Sequence, residues 1–466
     1  MSRLAVVGGG ISGLAAAHGA IDAWRGPGTL SVVVFESNGE AGGKARTLRR
    51  DGWLVECGPT GYLEPEPALD RLTAVAGLEH SRLPADAAAA RRFLVRGGVL
   101  REVHPHPLRF ARSGLLGPGG LLRLAAEPFV PRRRDTGDES VWEFARRRLG
   151  REAADRLIAP MVLGVHAGDA KTLSLRSAFP RMAELEAEHG SLVRALIALK
   201  RSKARSGGPA GPAGTLVSFR GGLQELPRRL AAHDALEVRF HRPVRGLEPE
   251  ASGWRVLTEA DPPFSAGAVV LAGEAWSMAP LLRTVAPEAA VGLAGIPYPP
   301  VAVVALGFGG EALARAPRGF GALLPRGEGY RMLGCLWDTH VFPGRSPEGT
   351  LLVRAMLGGT VDPEAARLPA DALLRLARDE VVRLLDLPGE PEFTEVLVWP
   401  RAIPQYTLGH ETRAASVERA LELRPGLFLA GNSLHGIAFG KAAASGYTQG
   451  ERAARYLSPH PASAPA

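Results

Sequence analysis

Residues 5–17 read AVVGGGISGLAAA, and this stretch decides the fold. Small apolar residues enter three consecutive glycines and leave into a helix of small side chains. The pattern is strand, tight turn and helix, the opening of a dinucleotide-binding unit. Gly8 permits the turn, Gly10 lets a pyrophosphate approach the backbone, and Gly13 lets the helix pack closely on the sheet. The turn runs through Gly8, Gly9, Gly10, Ile11, Ser12 and Gly13 and aims the helix N-terminus at the phosphates. A second strand, LSVVVFE at 30–36, ends in Glu36. Its distance beyond Gly13 is close to the roughly 20 positions expected of the acid that binds ribose hydroxyls. An ADP-containing cofactor follows.

The next residues, SNGEAGGKART (37–47), set Gly42 and Gly43 beside Lys44. This resembles the second signature of FAD enzymes of the amine-oxidase type, where backbone amides and cations add contacts to the diphosphate. Those enzymes carry Arg two positions before the glycine pair, whereas this chain carries Glu40.

At 466 residues the chain should form two or three domains, and its 45% apolar content can bury a large core. Cys57 and Cys335 are its two cysteines, too few for a disulfide framework or a thiolate metal site, which fits a reducing compartment. The histidines do not group as metal ligands. A net charge of +8 calls for anionic partners, and no nucleic-acid-binding motif accompanies it. Anionic lipid or a carboxylate-bearing substrate fits better. No window approaches the roughly 18 apolar residues of a spanning helix.

Further along, residues 90–205 read as mostly helical and arginine-rich, and RSGGPAGPAG (205–214) as a loop. Strands are expected near 215–218, 236–240 and 268–272, with AVVALGF (302–308) and LLVRAML (351–357) in another sheet. A helix follows at 372–387. Residues 427–457 again read strand, turn, helix, which would bring a helix N-terminus toward a flavin ring.

Several segments together resemble protoporphyrinogen oxidases across nearly the whole chain. They are VVGGGISGLAA, GVHAGDAKTLSLRSAFPRMAELEAEHGSL (164–192), SFRGGLQELP (218–227), AIPQYTLGH (402–410) and AGNSLHGIAF (430–439). The resemblance implies an α/β fold: a Rossmann-like FAD-binding domain of discontinuous segments, a mixed-sheet substrate domain and a helical membrane-binding insertion. The implied division is 1–84, 211–277 and 412–466 for FAD, 85–210 for the insertion and 278–411 for substrate. By carry-over, FAD contacts fall at the fingerprint, Glu36, Ser37, Gly42, Gly43, Lys44, Cys57, Gly58, Pro59, Thr60, Val244, Asn432, Ile437, Ala438 and Phe439. Beyond Phe439 the family shows Asn-Asp-Cys where this chain has Gly440, Lys441 and Ala442, so no contact is carried over there.

The implied reaction is repeated hydride transfer from protoporphyrinogen IX to FAD, with oxygen as acceptor and hydrogen peroxide released, in haem biosynthesis. Such chemistry needs position and a flavin more than a strong base, and no catalytic acid or base is nominated. Arg92 matches the family's propionate-binding arginine, and a guanidinium suits a carboxylate. Gly164 is either a backbone contact to the macrocycle or a turn glycine. The stretch 108–135 sets leucines and Phe129 beside Arg109, Arg112, Arg123 and Arg132–Arg134. It either docks on one leaflet of an anionic membrane or caps the fold as a soluble helical layer. The implied location is cytoplasmic, peripheral on the inner face of the membrane. A homodimer is one open option for the assembly. Coproporphyrinogen III oxidation on the same fold is the alternative, followed by amine oxidation, carotenoid desaturation or flavin binding without catalysis.

Overall fold

The computed structural model describes residues 2–133, 135, 137–201 and 214–458. Five parallel strands form the first sheet, in the order Glu237–Arg239, Ser31–Phe35, Arg3–Val7, Ala268–Leu271, Leu427–Leu429. The inner strands read as nearly continuous apolar runs because both faces of the sheet are covered there, whereas the edge strand Glu237–Arg239 is exposed to half-buried. Ala5, Val7, Val33 and Val269 point to one side, into a core shared with helices Ala275–Leu282, Pro287–Ala294 and His410–Glu422. Leu4, Val6, Val32 and Val270 point to the other side, against helices Ile11–Ala23 and Phe439–Leu457. These first and last helices pack with their backbones nearly touching. A side-chain carbon on Gly446 or Gly450 would overlap the carbonyl oxygen of Ser12 or Ala16, and one on Gly19 would overlap that of Tyr447.

The second sheet has seven strands in mixed orientation, in the order Phe393–Trp399, Val301–Phe308, Leu351–Gly358, Gly334–Trp337, Gly321–Leu323, Arg92–Arg96, Val99–Glu102. Its two long central strands pair antiparallel over their whole length. Ala302, Val304, Leu306, Phe93 and Val95 face the helix Ala370–Leu385 in one core. The other face turns toward the cofactor-binding half. Arg92–Glu102 therefore supplies a hairpin to this sheet, although the sequence division places it within the helical segment. The pattern RFLVR-GG-VLRE accounts for it: Gly97 and Gly98 adopt φ of 60° and 74°, the left-handed pair that a two-residue hairpin turn requires.

The helical layer consists of Pro107–Arg112, Pro118–Ala125, Val141–Leu149, Ala159–His166, Pro180–His189 and Leu192–Arg201, with shorter turns between them. The expected break at Gly117 is present, since Pro107–Arg112 and Pro118–Ala125 are separate helices. A wholly buried pair, Arg148 with Glu127, ties the layer together. Glu127 also accepts hydrogen bonds from Ser191 Oγ at 2.5 Å, Leu192 N at 2.9 Å and Val193 N at 3.1 Å, which satisfies the start of the following helix. The glycine- and proline-rich loop expected at 205–214 lies outside the described residues except for Gly214, as does Arg134 of the basic run. Among the described residues no helix is long and apolar enough to cross a membrane, and no cluster of metal ligands occurs.

The helix–helix contact gives a direct test. Gly446→Val should destabilise the protein by about 1–3 kcal/mol, in the range of overpacked cores. Thermal and urea unfolding read the loss, and Gly119→Ala, at another helical position where a side chain meets nothing within 4 Å, serves as the control for glycine replacement without a close contact.

Candidate functional site

The glycine turn takes the geometry its sequence requires. Gly8 sits at φ +112°, and a side chain on Gly13 would overlap the Gly8 carbonyl oxygen. Gly10 differs: a Cβ there meets nothing within 4 Å. Its bareness serves approach by something other than the protein. The helix it opens has no side-chain cap and no acid in its first turn, so its N–H groups and positive dipole end stay available to an anion.

Glu36 ends the adjacent strand and is 5% exposed. Its Oε2 accepts from Gly9 N at 2.6 Å, and its Oε1 from Asn38 N at 2.7 Å and Asn38 Nδ2 at 2.8 Å. Ser37 Oγ donates to the same Oε1 at 3.2 Å. The Glu36 backbone exchanges hydrogen bonds with Arg239 and Arg242, which brings the strand beginning at Val244 alongside.

The second glycine pair folds onto the first. Gly42 N donates to Gly9 O at 3.0 Å, and a Cβ on Gly43 would lie 3.5 Å from the Gly10 Cα. Gly58 packs on the Lys44 backbone so tightly that a side chain there would overlap the Lys44 carbonyl oxygen. Cys57–Thr60 is therefore held next to the pair. From the C-terminal end, Gly431 sits with its would-be Cβ 3.6 Å from Ser12 Oγ, and its N–H donates to Ser445 Oγ at 3.1 Å. Asn432 follows, its carbonyl accepting from the Tyr406 hydroxyl. Ala438 caps the last helix, again with no side-chain cap and no acid in the first turn. Phe439 lies in one core cluster with Ile11, Leu14 and Ala41, while Ile437 precedes the cap.

The Lys44 ammonium takes a place that glycine-pair logic does not foresee. It is paired with Glu274 at 2.8 Å, bonded to the Ala402 carbonyl and set 5.2 Å from the centre of the Tyr298 ring. Burial pulls its pKa down, and the Glu274 carboxylate opposes the shift. Tyr298 in turn contacts Ser433 Oγ at 3.2 Å, next to Asn432. Glu274 stands just past the C-terminal end of a parallel strand, where α/β sheets build their sites, and this position is its signal in the sequence. Glu40 points elsewhere and pairs with Arg46 at 3.1 Å and Arg228 at 2.9 Å.

The same loop rests on the second sheet. Trp399 Nε1 donates to Cys57 O at 2.7 Å. Arg354 is fully buried, bonds Asp338 through two nitrogens at 2.5 and 2.7 Å, and reaches Glu56 O and Thr60 Oγ1. A charge within the apolar run LLVRAML calls for such a partner, though nothing nearby in sequence identifies Asp338.

Arg92 and Gly164 both lie on this sheet face. In register, Arg92 lies beside Gly321 and Leu94 beside Leu323, so all share one side. A side chain on Gly164 would overlap Leu323 Cδ2. The Arg92 guanidinium is half-buried, 5.7 Å from the Phe320 ring centre, and meets no carboxylate among the described residues. Burial holds its pKa below the ordinary arginine value. Close by, Leu163, Leu333 and Ala402 are buried with Met356, Trp399 and Ile403 half-buried against them.

These residues fit FAD: bare glycine backbone at one helix start, an acid at the end of the neighbouring strand, and a second uncapped helix start. Gly10→Val should leave unfolding unchanged yet weaken FAD retention at least tenfold if the open space beside Gly10, where a Cβ meets nothing within 4 Å, receives the cofactor. Flavin absorbance after gel filtration, compared with the melting temperature of apo-protein, checks both halves.

Comparison with known proteins agrees with this reading. The family model described as "Flavin containing amine oxidoreductase" matches residues 11–458. Protoporphyrinogen oxidase 2 of Arabidopsis thaliana is 30% identical over 98% of this chain and 94% of the relative. Coproporphyrinogen III oxidase of Propionibacterium freudenreichii is 33% identical over 93% of this chain and 87% of the relative. A crystal structure from Exiguobacterium sp. 255-15 superposes with a TM-score of 0.84 at 25% identity, covering 97% of this chain and 99% of that one. Identity is thus low while coverage is nearly complete, as expected when one fold is kept. The chain belongs to the flavin-containing amine oxidoreductases, as an FAD-dependent oxidoreductase related to the protoporphyrinogen and coproporphyrinogen III oxidases.

Proposed function

We propose that this protein oxidises protoporphyrinogen IX to protoporphyrin IX, with oxygen as the acceptor and hydrogen peroxide as its product. The observation that carries the reading is Arg92: half-buried, without an acidic partner among the described residues, and on the sheet face that also holds the Cys57–Thr60 loop. A desolvated guanidinium is costly to leave unpaired, and a substrate carboxylate would supply the missing partner. The apolar floor of Leu163, Leu333, Met356 and Ile403 suits a flat macrocycle. When bound, FAD supplies the hydride acceptor. The chain's own side chains hold and orient the macrocycle and keep water from its faces, and none is assigned as acid or base.

Coproporphyrinogen III is the second reading, favoured by relatives of that activity in Propionibacterium freudenreichii and Bacillus subtilis. Anaerobic mixing of the yellow protein with each porphyrinogen in turn separates the two, since the true substrate bleaches the flavin faster. Failure of both to bleach it overturns the proposal. Arg92→Ala should raise KM about tenfold with FAD content unchanged; an unaltered KM removes Arg92 from the site.

Membrane docking of the helical layer belongs to the same reading, and with it a peripheral place on the inner face of a membrane. Leu108, Leu122 and Phe129 are 66%, 74% and 85% exposed, on the segment that carries Arg109, Arg112 and Arg123. Apolar side chains projecting beside exposed Arg109 and Arg112 fit one anionic leaflet, while Arg123 turns inward onto the Arg147 and Arg148 carbonyls. The protein should float with anionic vesicles at low salt and lose that property in Leu122→Asp/Phe129→Asp; sedimentation without vesicles in the wild type refutes the docking.

A further inference from the structure

The hairpin Arg92–Glu102 carries a second arginine on the face of Arg92. Arg101 lies directly opposite Leu94, and Arg92 is two residues along the neighbouring strand. Side chains directly opposite in an antiparallel pair share one side, so Arg92, Leu94, Arg96 and Arg101 form one face. Phe93, Val95 and Leu100 take the other, in the core under helix Ala370–Leu385. Diagonal neighbours in such a pair stand about 7–8 Å apart, a span that two guanidinium groups close or widen by rotating their stems.

Arg101 is exposed and, like Arg92, has no hydrogen-bond or ion-pair partner among the described residues. The acids nearby are already committed. Glu102 faces the opposite side of the sheet and pairs with Arg91 at 2.9 Å. Glu152 pairs with Arg156 and accepts from Gly117 N at 2.9 Å, reaching Arg96 only at 3.9 Å. Arg96 is spent on the Gly114 carbonyl, in the loop above the hairpin. A Cβ on Gly114 would lie 3.9 Å from the Arg101 guanidinium carbon, in ordinary van der Waals contact, which places that group beside the same loop. The face thus presents two uncommitted cations a diagonal step apart, beside an apolar floor.

We propose that Arg101 is a second carboxylate-binding residue of the active site, acting with Arg92 to hold two acidic side chains of one macrocycle. The assignment deepens the porphyrinogen reading and rests on it for the ligand. It gives the site a polarity, because a macrocycle gripped along one edge is presented to the flavin in a restricted set of orientations.

Binding and turnover test it separately. Oxidised coproporphyrin III, which cannot turn over, is titrated against FAD-loaded protein by porphyrin fluorescence, beside its tetramethyl ester in the same detergent. Arg101→Ala should weaken the free acid about tenfold, equivalent to about 1.4 kcal/mol, and leave the ester unchanged. Arg101→Lys should keep part of the affinity, since it retains the charge without the fork. FAD content and melting temperature should match wild type in both variants. An unchanged affinity for the free acid in Arg101→Ala, or equal weakening of acid and ester, overturns the assignment. Should Arg101-dependent binding persist while no porphyrinogen bleaches the flavin, the oxidation reading falls and the arginine pair stands.

Discussion

The contact between the first and last helices is the constraint on which the rest depends. Without side chains at Gly19, Gly446 and Gly450, two backbones separated by most of the chain approach to direct contact. That approach sets the second uncapped helix start near the first, and it draws the Gly431–Asn432 turn against Ser12. Two positive helix ends from opposite termini are thereby brought to one region of the fold. The intervening residues had to be organised as excursions from this closed pair, and the interleaved topology of the two sheets is the outcome.

The motifs most telling of family turn out to be braces. In 218–227, Ser218 Oγ and Phe219 O accept from buried Arg345, Leu223 N donates to Glu56, and the Gln224 side chain bonds Thr47 N and Ala41 O. These bonds fix Ala41 and Thr47 on either side of the second glycine pair, and with them the strand that ends at Glu56. In 402–410, the Gln405 amide donates to His166 O and Ile403 O, the Tyr406 hydroxyl reaches Asn432 O, and the His410 ring bonds Leu434 O. This segment fastens the helical layer and the C-terminal turn to one another. Buried polar groups tolerate few alternatives because each requires its particular partner, which explains why such stretches stay recognisable where surfaces do not.

Legibility in the sequence followed interaction range. The glycine fingerprint, Glu36 and the strands at 268–271, 301–308 and 351–358 are local patterns, and the observed elements fall within a residue or two of the expected ones. The hairpin at 92–102 was legible in principle through its paired glycines, but the surrounding arginines and helices masked it. Partnerships across the chain were not legible. Nothing near Lys44 names Glu274, nothing near Arg354 names Asp338, and the alignment of Arg92 with Gly321 follows from sheet order alone. Residue types announced the chemistry, while long-range pairing decided which groups meet.

Arg354 carries one more consequence. Its single guanidinium is anchored by Asp338, just past the second-sheet strand Gly334–Trp337, and simultaneously clasps the loop bearing Cys57–Thr60. The two halves of the molecule therefore cannot be swapped independently. A chimera that imports a foreign substrate-binding half must bring Asp338 and Arg354 together and retain Glu56 and Thr60 opposite them, or strand a cation in the interior. Diversification of what this scaffold oxidises is thereby channelled toward the rim of the sheet, where side chains change without disturbing the clasp.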